Sequence, residues 1–201
     1  MNVRLQYTMP FTAGVHYNGK LIMNGYLLKV FMITNVAESE LTDTAFERLK
    51  YFINEEMDST IFINLADQEQ CQLYADAGIK ITTLPNEPVD QIVGVMLFHK
   101  LNAIMENRIS IIETELSSHL GDNVVYVHSE NEITQNIEIP AWWTTPDLLH
   151  NELDSGRSDT VFAAPYTGPT WRDLNLSWDD DEPVETGNIV FADFGKDDTK
   201  Q

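Results

Sequence analysis

PVDQIVGVMLFHKLNAIMENRISIIETELSSHLGDNVVYVHSE, residues 88–130, decides the fold class of this chain. In its first half Val89, Ile92, Val93, Met96, Leu97, Leu101, Ile104 and Met105 recur at three- and four-residue spacing, the apolar stripe of a helix packed across a core. Pro88 suits the first helical position, and His99 falls off the stripe, where a surface residue is expected. From residue 108 to 118 the composition turns β-branched, and residues 123–129 read as a second strand. Gly121-Asp122 between them suits a two-residue type II′ turn. A helix that runs into an antiparallel hairpin points to a mixed α+β architecture.

Upstream, Val3, Leu5, Tyr7 and Met9 alternate with Arg4, Gln6 and Thr8, a half-buried strand that Pro10 is expected to stop. Asn18-Gly19 and Asn24-Gly25 both carry the turn signature, so the spacing predicts short strands at 15–17, 20–23 and 26–34 in an N-terminal meander. Thr44 and Glu47 fit a capping box that opens a helix over 43–57. Residues 59–65 and 79–84 read as strands around a brief helix after Asp67, which carries Cys71, Leu73 and Tyr74 and stops at Gly78. Strands alternating with helices imply some parallel pairing. The glycine-rich phosphate loops of nucleotide-binding folds are missing at these strand ends. The fold class expected is therefore α/β in the mixed α+β sense. It comprises a mixed sheet with an N-terminal meander, two to three helices, a C-terminal hairpin and an extended acidic tail.

Residues 1–139 form the expected compact domain, and 140–201 a tail partly packed on it and partly disordered. All four tryptophans and five of the eight prolines lie in the tail. Trp142 and Trp143, with Phe162, are expected to cover a sheet face. A short helix after Pro146 would carry Leu148, Leu149 and Leu153 as far as Gly156. Trp171, Leu174 and Trp178 fall at i, i+3 and i+7, one face of a short helix able to dock in a partner's groove. Asp179, Asp180 and Asp181 follow at once and would steer that helix to a basic partner. Phe191 and Phe194 offer a second short anchor.

If Gly121-Asp122 is the turn, Leu116 and Ser118 lie opposite Val127 and Val125 on an apolar face. The other face then sets Glu115 opposite His128, Ser117 opposite Tyr126 and Glu113 opposite Glu130, with His119 near the turn. Carboxylates beside an imidazole can bind a divalent cation or share a proton in acid–base catalysis. Glu113, Glu115, His128 and Glu130 are thus the candidate catalytic residues. A polar outward face is also what an ordinary hairpin shows, and a slip of one residue would dismantle the set.

The formal net charge of −20 disfavours direct contact with nucleic acid or an anionic membrane surface. No apolar run approaches a bilayer span, and no motif calls for a cofactor or a metal. With Cys71 alone, an intramolecular disulfide and a cysteine zinc site are excluded. Together with an N-terminus lacking a signal sequence, this points to the cytoplasm, or to a virion assembled there. The expected function is a non-enzymatic acidic protein that binds, and inhibits, a basic or nucleic-acid-handling protein. The alternatives are an assembly subunit whose tail wraps a neighbouring copy in a homo-oligomer, and a metal-dependent enzyme on the 108–130 hairpin. In general character (acidic, one cysteine, aromatic tail) the chain is similar to small bacteriophage proteins.

Overall fold

The computed structural model describes residues 2–35, 39–129, 139–151 and 168–178. Within these the protein is mixed α+β. Two 16-residue strands, β1 (Asn2–Tyr17) and β2 (Lys20–Asn35), form a hairpin closed by Asn18-Gly19, both at positive φ. This is the twist-compatible turn that Asn-Gly favours. After it come helix α1 (Ser39–Tyr51), a π-helical turn (Phe52–Met57), β3 (Ile61–Asn64), α2 (Gln68–Asp76) and β4 (Ile81–Leu84). Helix α3 (Asp90–Ile104) leads to β5 (Ser110–Ser118) and β6 (Tyr126–Ser129). The sheet order is β4-β3-β1-β2-β5-β6, with β1/β3 and β3/β4 parallel and the rest antiparallel.

Several local expectations are corrected. Pro10 does not stop β1 but pairs with Leu27 inside it. The amides of Thr12 and Gly14 point toward the β3 side, to Asp58 Oδ1 and the Thr60 carbonyl. Pro10 shares their parity, so its missing N–H falls where β1 has no neighbouring strand. Asn24-Gly25 is not a turn: Asn24 is buried and its Oδ1 accepts the Leu120 amide, so the pair stays in the ladder. The expected meander is thus one long hairpin. Helix α1 starts at Ser39, which leaves Thr44 inside it and no capping box at Thr44. Helix α3 begins at Asp90, two residues beyond Pro88.

The large core lies on one face of the sheet. Met9, Phe11, Leu28, Val30 and Met32 meet Leu49, Phe52 and Ile53 on one side and Met96, Leu97 and Leu101 on the other. Helix α2 lies on the opposite face, where Cys71 and Tyr74 pack on Ile61, Ile63 and Ile81. His16, also on that face, is covered by Tyr74 and lies 3.7 Å from Asp67. Burial pushes the Cys71 thiol up to about 11, so it behaves as a small apolar group. Helix α3 is buried nearly all round, because residues 139–151 close over the side that the sheet leaves open. His99 is accordingly half-buried and stacked on Trp143 at 6.2 Å, not a surface residue.

Candidate functional site

The hairpin forms, but with a register one residue away from expectation. Residues 119–125 make a wide connection with Asp122 and Asn123 both at positive φ, and Thr114, not Glu115, lies opposite His128. Because side chains alternate across a strand, the slip turns His128 inward. Its ring packs so closely on Gly94 of α3 that a built Cβ there would lie 2.2 Å from Nε2. Glu113 and Glu115 stay outside, and each is neutralised. Glu113 takes Arg4 at 3.0 Å, and Glu115 takes Lys29 at 2.6 Å. The sheet therefore separates the two carboxylates from the imidazole, and Glu130 lies outside the described residues. Among the described residues no group of three or more His, Cys, Asp or Glu side chains is placed to hold a metal.

Two of the tail tryptophans, Trp171 and Trp178, are displaced from their expected role. Trp142 and Trp143, on a single 3-10 turn (Ala141–Thr144), are buried, but against α3 and not over an open sheet face, and residues 146–151 form no helix. Leu153, Gly156, Phe162, Phe191 and Phe194 lie outside the described residues. Trp171 and Trp178, however, are buried against this chain's own α1, and Leu174 is half-buried beside them. The cause is Arg48, only 1% exposed. Its guanidinium lies 4.9 Å from the Trp171 ring and 4.2 Å from the Trp178 ring. It donates to the carbonyls of Ile104 and Leu176 and to Glu106 Oε1 at 2.5 Å. Trp178 Nε1 donates to the same carboxylate oxygen at 3.0 Å. A buried cation needs such surroundings, and the indoles supply them. The Asp179-Asp180-Asp181 run, which follows immediately, lies outside the described residues.

A second buried cation holds the preceding segment. Lys100 Nζ, with no exposed surface, donates to the carbonyls of Trp142 and Thr145 and to Asp147 Oδ1. Burial pulls its pKa down to about 8, although Asp147 opposes the shift. From about pH 8 to pH 10.5 the unfolded amine keeps a proton that the folded one has lost, so stability rises with pH across that window. Urea midpoints should report a gain of about 1–2 kcal/mol between about pH 8 and 9.5, before tyrosines titrate, and Lys100→Met should flatten that slope. Alongside, His150 donates from Nδ1 to the Ile81 carbonyl at 2.9 Å, and its Nε2 lies 3.3 Å from Glu56 on the π-helical turn. Burial lowers His150 to about 4 and raises Glu56. Sequence reasoning missed this whole polar seam. One signal was there: Lys100 sits at i+4 from Met96 and i+3 from Leu97, inside the apolar stripe.

What remains is the outer face of β2, β5, β6 and the N-terminal half of β1, on which no helix among the described residues packs. Leu21, Met23, Leu27, Ile33 and Val127 point from it, Met23 with 61% of its surface exposed. Arg4 lies over the Phe31 ring at 4.7 Å. Arg4, Lys29, Glu113 and Glu115, which this face carries, form two ion pairs that cancel, in a chain of net charge −20. A neutral, apolar sheet face with acidic surroundings can bury area against another protein. No helix among the described residues is long and apolar enough to cross a membrane.

No protein-family model and no curated protein matches the sequence. Among solved structures, the chain is similar to an uncharacterized protein from Wolinella succinogenes. The two share 11% identity at a TM-score of 0.47, over 65% of this chain and 99% of that one.

Proposed function

We propose that this chain is a non-enzymatic, acidic interaction protein. It docks its helix-free sheet face on a protein partner with a basic surface, and where that partner handles nucleic acid the docked chain blocks the nucleic-acid site. The observation that supports this reading is the neutral apolar face, led by Met23 and Val127, in a chain of net charge −20. Apolar area gives the contact its energy, and the surrounding negative charge gives it speed and choice of partner. The tail-wrapping and hairpin-enzyme alternatives have less behind them. Trp142, Trp143, Trp171 and Trp178 serve this chain's own core, and His128 faces away from Glu115.

The test begins with recovery of a partner on the full chain from nuclease-treated host lysate, followed by calorimetry with the purified pair. Affinity should fall about tenfold or more between about 0.05 M and 0.5 M salt. It should fall comparably when Met23→Ser and Val127→Ser are combined. An affinity indifferent to both changes would sink the reading.

A further inference from the structure

Two rows of residues cross the helix-free face in register. In the first, Thr12 lies opposite Gly25, whose carbonyl accepts the His119 amide at 3.0 Å. In the second, Pro10 lies opposite Leu27, and Leu27 opposite Ser117. Gly25 removes one side chain from the first row. Its φ is not left-handed, so the turn chemistry of Asn-Gly does not explain the glycine. The His119 ring stands against Gly25, 3.4 Å from where a Cβ would lie, and beside that ring is a cavity of about 520 Å³. Pro10, Leu27, Ser117 and His119 are among the residues that line it.

One end of this notch is closed by Asp58, the only carboxylate among the residues around it. Asp58 is held in place from the backbone. Its Oδ1 accepts the Thr12 amide at 2.8 Å and its Oδ2 the Ser59 hydroxyl at 3.3 Å. Two carboxylate oxygens offer about four acceptor sites, and these hydrogen bonds use two of them.

We propose that the notch receives an arginine or lysine side chain carried on an extended segment of the partner. The methylene stem lies beside the His119 ring against Pro10 and Leu27, and the cation reaches Asp58. Long basic side chains are suited to this division, with an apolar stem and a charged head. The inference rests on the reading of this face as the docking surface for a basic protein, and it names the anchor that surface selects.

The experiment is an NMR titration of the isotope-labelled full chain with N-acetyl-Leu-Arg-Leu-amide, its lysine counterpart, and the same peptide with citrulline, a neutral isostere of arginine. Amide shifts are expected at Thr12, Gly25, Ser117 and His119. Binding should weaken about tenfold with citrulline, in line with the loss of a charge-assisted hydrogen bond. Gly25→Val presses on the His119 ring and drives it into the notch. Its Cβ would stand 3.4 Å from Nδ1 of His119, an exposed ring that can give way, so the fold should be kept while peptide binding is lost. Asp58→Asn retains an acceptor for the Thr12 amide and removes the charge, and should match the citrulline result. Thermal melts check that both variants stay folded. The proposal is overturned if citrulline binds as well as arginine, if Gly25→Val binds undiminished, or if the shifts fall elsewhere. Should the peptides fail while the full chain keeps a salt-sensitive partner that the Met23 and Val127 changes weaken, the notch is wrong and the docking face stands.

Discussion

Arg48→Ala is expected to lower the unfolding free energy by about 3–5 kcal/mol, the cost of removing one member of a buried ionic group. Four effects run the same way. The carbonyls of Ile104 and Leu176 lose their donor, and Glu106 loses its cation in a partly buried position. Trp171 and Trp178 lose the guanidinium that lies against their rings, and a hole opens between α1 and the C-terminal segment. Arg48→Lys should recover only part of the loss, because an ammonium cannot lie flat against two indoles while donating in three directions. Urea denaturation of the three proteins measures the series. Tryptophan emission in the absence of denaturant gives a second reading, since Trp171 and Trp178 should become wetter in Arg48→Ala. A loss below about 1 kcal/mol would mean that the guanidinium is incidental.

The larger effect should come from ending the chain at residue 139. Trp142, Trp143, Leu148, Trp171 and Trp178 are all buried in the same core as the sheet and α3. At about 2–3 kcal/mol for each large apolar side chain, their removal forfeits roughly 10 kcal/mol of gross burial. That is comparable to the whole net stability of a domain this size. Lys100 would also lose the two carbonyls and the carboxylate that hold it. The expected product is insoluble, or binds a hydrophobic dye without a cooperative melt. A chain ending at residue 178 should instead melt cooperatively near the full-length temperature. A soluble, cooperatively melting 1–139 fragment would refute the single shared core.

The parts of the fold that were legible in the sequence are those where one local pattern dominates. The stripe of α3 and the apolar runs of β3 and β4 identify themselves by period, and Asn18-Gly19 closes its hairpin through positive φ alone. Illegible were the places where a distant partner decides. Asn24-Gly25 has the same local chemistry as Asn18-Gly19, but an acceptor role toward Leu120 keeps it extended. The register of β5 and β6 depends on where Gly94 leaves room for the His128 ring, and Gly94 is 34 residues away. The candidate site failed for that reason. Its geometry was inferred from a two-residue turn, whereas the chain spends residues 119–125 on the connection. Trp171, Leu174 and Trp178 read as a docking face for a partner because nothing local to them in the sequence shows that Arg48 of α1 receives both indoles.

The Arg48 socket also bears on the timing of folding. The β1–β2 hairpin closes through neighbouring residues and can form on the microsecond scale of local elements. The socket joins Arg48 to Glu106 and to Leu176, 58 and 128 residues further along, and can close only when the rest is in place. Contacts made after the rate-limiting step leave the speed of folding nearly untouched and govern the rate of escape from the native state. Loosening the C-terminal seam, as in Arg48→Ala, is therefore expected to speed unfolding more than it slows refolding.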